Sequence, residues 1–334
     1  MSAKILLGHG GGGKLSSEWI EREIVPRFGD GPLKSLADGA TLPAFANAMV
    51  VSTDSYVVSP LEFPGGDIGH LAVYGTVNDV AVSGGAPKWL SLSLILEEGF
   101  EISRLRRILD SLRSACERCN VRIVTGDTKV VPHGHCDGMY INTTGIGEAI
   151  PGFRLGRDRL ELGDHVVVSG TIGDHGMAIV AARGEFKVDG GPHSDSGPVH
   201  ELVRTLADLG DAVRFLRDPT RGGLAAVLNE IVRGREHGII LEEEAIPASP
   251  SARAMAEVVG MDLLHVASEG RVVAICDPLV SASIVARWRD FAEGRGAQVI
   301  GEVGGKGGRV VMHTRAGGRR IVDAPHGELL PRIC

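Results

Sequence analysis

The sequence predicts an α+β protein in two unequal halves. Period-two apolar runs and helical stripes are mixed along the chain instead of alternating strictly, which favours α+β halves over one doubly wound sheet. The chain has 334 residues, enough for two domains of ordinary size. Pro151 and Gly152 break the pattern, so a boundary fits between Ile150 and Gly156. The expected organisation is a flexible glycine-rich segment over 1–40, a first domain over 41–150, a second over 151–322 and a mobile tail over 323–334.

Composition narrows the function. The net charge of -7 leaves no nucleic-acid footprint. No apolar run approaches membrane-spanning length, and the start MSAKILLGHGGGGK lacks the apolar core of a signal peptide. A cytoplasmic protein is expected, with neither nucleic acid nor membrane as partner. Five cysteines, an odd number without a secretion signal, argue against a disulfide framework.

The elements follow in order. Gly8 to Lys14 has P-loop spacing, but Leu15 stands where a magnesium-holding Ser or Thr belongs. What remains is a glycine loop that can cover phosphates with backbone N–H groups, with a short helix over 17–25 behind it. Val50, Val51, Val57 and Val58 are strand formers, interrupted by Asp54. Gly65-Gly66-Asp67 forms a turn and helix start. Leu71, Tyr74, Val77 and Val80 recur at helical spacing, with Asn78 and Asp79 beside the stripe. The run over 90–96 alternates as a strand with one buried face. Its leucines offer an apolar face.

A helix is expected over 102–118. Cys116 lies on its stripe, so the Cys116–Cys119 C-x-x-C reads as core, and no second C-x-x-C completes a zinc site. Residues 121–131 read as two β segments around Thr125-Gly126-Asp127-Thr128. Lys129 lies on the same side of the extended chain as Asp127. His133-Gly-His135-Cys136 is either a soft-metal site or a polar loop between strands. A strand over 139–147 closes the first half. In the second half, strands begin at 164 and 272, helices run over 177–182, 199–209 and 279–292, and β segments fill 298–322. Residues 187–198 read as a loop, and Arg217-Asp218-Pro219-Thr220-Arg221-Gly222-Gly223 as a turn feeding a helix N-terminus.

Asp54, Asp67, Asp79, Asp127 and Asp218 thus sit at turning points, where carboxylates from separate elements can converge on a hard cation. Singly, each also reads as a helix cap, a helix-face hydrogen bonder or a strand-end polar residue. Glu269, at a strand-start turn, is an exposed acid or a catalytic base. The tail lacks periodicity and ends on Cys334, whose thiol rides on an arm able to extend roughly 25 Å.

Taken together, TDSYVVSP, PGGDIGHLAVYGTVNDVAVSGG, LILEEG, TGDTKVV, DPTRGGLA, SEGR and the terminal PRIC resemble the HypE family of hydrogenase maturation factors. The resemblance runs over nearly the whole chain, and PRIC is its most specific part. Looser forms of the other motifs occur in the superfamily of aminoimidazole ribonucleotide synthetase, selenophosphate synthetase and thiamine-monophosphate kinase. The resemblance implies an ATP-binding first domain whose sheet pairs across a homodimer, and a larger C-terminal α/β domain. It also implies the reaction. A carbamoyltransferase, HypF, loads a carbamoyl group on Cys334. ATP-dependent dehydration makes a thiocyanate, and the cyanide passes to iron on the HypC–HypD complex for [NiFe]-hydrogenase. Lys129 and Glu269 are the bases that the family's TGDTK and SEG motifs imply, with the lysine alternatively stabilising phosphate charge. For the nucleotide, Asp54, Asp67, Asp79, Asp127 and Asp218 are candidates, and Mg2+ falls first to Asp54, Asp79 and Asp218. Two other functions compete: an ATP-dependent synthetase or kinase acting on a free small molecule, and a metal-insertion scaffold using Cys334, His133 and His135.

Overall fold

The structure, a computed structural model, describes residues 4–11, 13–184, 190–327 and 330–334. Gly12 of the expected glycine loop, residues 187–189 of the expected loop and residues 328 and 329 of the tail lie outside the described residues. The chain enters through helices α1 (Lys14–Glu23) and α2 (Val25–Phe28). Glycine content suggested flexibility here, but Ile5, Trp19 and Phe28 are buried and seat the segment on the first domain. Glu23, also buried, is ringed by Arg22, Arg27 and Arg106.

The first domain continues with β1 (Met49–Tyr56), the short hairpin β2 (Glu62–Phe63) and β3 (Gly66–Asp67), and α3 (Ile68–Val82). Then come β4 (Gly85–Glu97), α4 (Ile102–Cys119), β5 (Arg122–Val131) and β6 (Met139–Ala149). Strands β1, β6, β4 and β5 form a sheet in that order, parallel only at β4–β5. The two β segments expected over 121–131 are one strand, bulged against β4 where the register shifts at Leu90 and Ser91.

Which face of this sheet is covered differs from expectation. Leu90, Leu92, Leu94 and Leu96 are buried, and they share a core with Leu71, Val77, Leu105 and Ile108 of α3 and α4. The leucine stripe is therefore consumed within the chain and cannot be the surface offered to a second subunit. The open face is the other one, where Met49, Val51 and Ile95 are exposed. Alternation shows that a strand has one buried face, but not what buries it.

The second domain holds β7 (His165–Val168), α5 (Asp174–Ala182), α6 (His200–Arg204), β8 (Val213–Arg217), α7 (Gly223–Val232) and β9 (Gly238–Glu242). It ends with α8 (Pro250–Val259), β10 (Val273–Cys276), α9 (Pro278–Arg289), β11 (Gln298–Gly304), β12 (Val310–His313) and β13 (Arg319–Ile321). The described strands form one sheet in the order β13-β12-β9-β11-β7-β10-β8. The helix expected over 199–209 stops after one turn, and Gly210 (φ 51) then breaks the short 3-10 turns that follow. Helix α3 is buried on nearly every side. It serves both domains, since Ala81 and Val82 pack with Val203, Leu216 and Trp288.

Candidate functional site

Four acids meet where α3, β1 and the second domain join. Asp54 lies on β1, and Arg221 approaches its Oδ1 to 3.7 Å. Asp79, in the last turn of α3, accepts from the Ser52 hydroxyl at 2.8 Å. Burial holds its carboxyl above the usual range, and the Asp54 charge adds to this. Asp218 is 5% exposed. Burial, and then the Asp79 charge, push its carboxyl up to about 7. Glu269 is 3% exposed and raised well above its ordinary range by burial, then by the charges of Asp218, Asp195, Asp54 and Asp79. Its Oε1 has no hydrogen-bond partner among the described residues.

Local sequence explains the convergence. Gly222 (φ 76) and Gly223 (φ 62) turn the chain into α7. A Cβ at Gly223 would come within 2.7 Å of the Val266 and Leu264 carbonyls, so only glycine lets this turn lie against the Glu269 loop. Asn78 clamps the same loop from α3. Its amide donates to the Gly197 and Glu269 carbonyls, and its Oδ1 accepts from Val199 N–H.

The tail reaches this place. Ile333 is buried and belongs to the core of the first domain. Val57 N–H donates to the main-chain oxygen of Cys334 at 3.1 Å, and Ser59 N–H to the Arg332 carbonyl at 3.1 Å. Arg332 pairs with Asp137 and takes a positive φ of 56, so the last residues bend instead of running as an even strand. The arm expected from the lack of periodicity is thus a docked terminus: one apolar side chain and several backbone carbonyls fix it, and neither leaves a periodic signal. The negative charge at Cys334 is the leading cause raising Arg221, a side chain that also feels Asp54, Glu269 and Asp79. A cavity of about 370 Å³ lies alongside, lined by Arg221, His265, Ala267, Pro325, Leu330 and Ile333.

Asp127 and Lys129 are elsewhere. They form an ion pair of 3.2 Å on β5, each more than half exposed. They border a second cleft of about 570 Å³ with Gly10, Ser17, Leu36 and Thr128. Because β1 and β5 are opposite edges of the sheet, Asp127 and Asp54 are three strand steps apart, roughly 14 Å. Asp67 is occupied as the N-cap of α3: its Oδ1 accepts from Gly69 N–H, His70 N–H and the Ser111 hydroxyl. Sequence reasoning missed Arg221 and Asn78, whose signals are single polar residues inside motifs dominated by glycine and acids, and Asp195, which leaves none. Among the described residues, no group of three or more His, Cys, Asp or Glu is arranged to hold a metal ion by itself. The crowded, raised acids do suit a hard cation, which usually takes one or two carboxylates and completes its shell with phosphate and water.

The other thiols are less suited to chemistry. Burial pushes Cys116 and Cys276 up to about 12 and leaves them protonated. Cys136 is half-buried and also raised. Among the described residues, no helix is long and apolar enough to cross a membrane.

Comparison with known proteins places this geometry in context. Residues 37–149 match the N-terminal domain of the AIR synthase related proteins, and residues 161–313 the C-terminal domain. Carbamoyl dehydratase HypE of Cupriavidus necator is 45% identical over 335 aligned positions, covering 100% of this chain and 95% of the relative. A crystal structure of hydrogenase maturation protein HypE in complex with ATP superposes with a TM-score of 0.94 at 40% identity, covering 98% of this chain and 99% of that one. HypE in a HypE–HypF complex superposes with a TM-score of 0.81 at 41% identity, covering 92% of this chain and 99% of that one.

Proposed function

Because the chain belongs to the HypE family of carbamoyl dehydratases within the AIR synthase related proteins, we propose that it dehydrates its own S-carbamoylated Cys334 to a thiocyanate, using ATP, in hydrogenase maturation. HypF is the partner that loads the carbamoyl group, and the HypC–HypD complex receives the cyanide. The observation that carries this reading is the docked terminus, which seats Cys334 against Val57 N–H and within the field of Arg221, the side chain that also feels Asp54, Glu269 and Asp79.

The carbamoyl oxygen is a poor leaving group, and ATP supplies the phosphoryl group that lets it depart as phosphate. The C–O bond breaks, two protons leave the nitrogen, and C≡N remains on sulfur, with ADP and phosphate as the other products. Glu269 accepts a proton. Burial and the neighbouring acids raise its carboxyl, which makes the carboxylate a stronger base than an ordinary one. Arg221 holds the anionic end of the tail. Asp54, Asp79 and Asp218 would hold Mg2+, which offsets phosphate charge. Asp127 and Lys129, beside the glycine segment, suit the nucleotide phosphates, with Lys129 either a base or a charge stabiliser.

Within one chain these two groups of residues are separated by the width of the sheet. A homodimer pairing the open faces resolves this, because a second copy brings its own β5 edge to the acids. Mass spectrometry of the C-terminal peptide tests the function. A carbamoyl adduct on Cys334 should become lighter by one water only when ATP is present. Finding the adduct on Cys116, Cys136 or Cys276 instead would overturn it.

A further inference from the structure

The second residue of helix α5 is a histidine that the chemistry above does not use. His175 is fully buried, 0% exposed. Its Nε2 lies 2.7 Å from the Ile333 carbonyl oxygen, and its Nδ1 lies 2.8 Å from the Ser194 hydroxyl. These partners fix the proton. A carbonyl only accepts, so Nε2 carries the hydrogen. Nδ1 then accepts, and the Ser194 hydroxyl donates to it while its oxygen receives the Ser196 N–H at 3.0 Å. Burial lowers the basicity of the ring and keeps it neutral, in keeping with this pattern. Phe63 stands edge-on to the imidazole, with centroids 5.4 Å apart and planes at 87°, which limits rotation of the ring.

The same residue is tied to the proposed base, Glu269. Asp195 Oδ1 accepts from His175 N–H at 3.0 Å and from Glu269 N–H at 3.2 Å. One carboxylate oxygen therefore holds the backbone of the group that touches the tail and the backbone of the proposed base. The apolar half of the contact is built for the same segment. A Cβ at Gly176 would lie 3.1 Å from Ile333 Cδ1 and 2.3 Å from Val266 Cγ1, so glycine there opens the socket that Ile333 fills.

We propose that His175 is a positioning residue for the dehydration: its Nε2–H holds the Ile333 carbonyl and so fixes where Cys334 sits relative to Glu269. The inference rests on the function proposed above. Arg183 assists, donating to the Pro331 and Arg332 carbonyls. Donation to main-chain oxygens sets the register of the terminus without reading side chains. A tail one residue longer or shorter would offer its carbonyls out of step.

Alkylation of Cys334 by N-ethylmaleimide in the full chain, followed on the C-terminal peptide, tests this. His175→Asn, whose short amide falls short of the Ile333 carbonyl, should raise the labelling rate about tenfold, the scale of one lost buried hydrogen bond. His175→Gln keeps an N–H near the Nε2 position and should stay within about threefold of wild type. With carbamoylated protein and ATP, the single-turnover rate should fall by a similar factor in His175→Asn, at an unchanged half-saturating ATP concentration. Equal labelling in the Asn and Gln variants would overturn the inference. Nitrogen-15 histidine spectra of the unsubstituted side chain avoid any folding defect: His175 should be the Nε2–H tautomer, and its Nε2 signal should move when Ile333 and Cys334 are deleted. A signal that does not move refutes the contact. Neither labelling nor spectra need ATP or a carbamoyl group. Failure of wild-type protein to lose water from carbamoylated Cys334 would instead sink the underlying function alone.

Discussion

Asp218→Asn should make the nucleotide-free protein more stable at neutral pH while abolishing its turnover. Asp218 is buried, and its carboxyl is pushed up to about 7 by burial and by Asp79. The unfolded chain releases this proton near the ordinary value of 3.8. Between those values the folded state binds more protons than the unfolded state, so stability falls as pH rises through the window. Each unit is worth about 1.4 kcal/mol. Across three units the upper bound is near 4 kcal/mol, and sharing of the charge with Asp79 reduces the working figure to about 1–3 kcal/mol. Asparagine removes the penalty but also removes a carboxylate charge that the proposed Mg2+ site would use. Urea unfolding of both proteins at pH 5 and pH 8, without metal or nucleotide, measures it. The gap between variant and wild type should move in favour of the variant by about 1–3 kcal/mol from pH 5 to pH 8. Saturating Mg2+ and ATP should shrink that movement. A gap independent of pH would refute the reasoning, whatever constant cost the new amide adds.

Glu23→Gln should destabilise the fold by about 1–3 kcal/mol at pH 7. Hydrogen bonding to Arg106, more than to Arg22, holds this carboxyl near 2, so its contribution is present above 4.5 and lost as pH falls toward 2; thermal melts that show no loss at pH 7 would contradict this. Glu269→Gln should bind ATP with near-normal affinity and accumulate carbamoylated protein, and an equally large loss of ATP affinity in equilibrium titrations would exclude the base role. Val51→Asp, on the open sheet face, should convert a dimer into a monomer by light scattering at micromolar concentration; a wild-type mass would move the interface elsewhere.

Much of the fold could be read from the chain, because α4, β4 and the turn at Asp218 carry strong local patterns. Glycine at 222 and 223 marked the turn, and the acids at 54, 67, 79, 127 and 218 read as one set, of which the structure brings 54, 79 and 218 together beside Glu269. Asp67 shows where such reading stops. Its Oδ1 caps α3 through three donors, a role that the turn sequence alone does not separate from ligand binding. The position of the leucine stripe was equally hidden, since alternation is the same whether a helix or a second subunit covers it. His175 and Asp195 gave no signal because their roles depend on partners 158 and 74 residues distant. The docking of the tail escaped too, because backbone carbonyls exist at every residue.

The socket for Ile333 has a kinetic side. Returning that side chain to water forfeits about 1.5–3 kcal/mol of apolar burial, before any hydrogen bond to the tail is counted. At rest, then, only about one terminus in ten to one in a hundred is out. A second protein that must grip Ile333 as well as the half-buried thiol meets that minority alone, and its apparent affinity is weakened in proportion. A carrier that buries its penultimate side chain this way is selective by patience: brief, unspecific encounters find no free terminus to grip. Only a partner that stays through an excursion, or offers Ile333 a replacement pocket, takes hold of it.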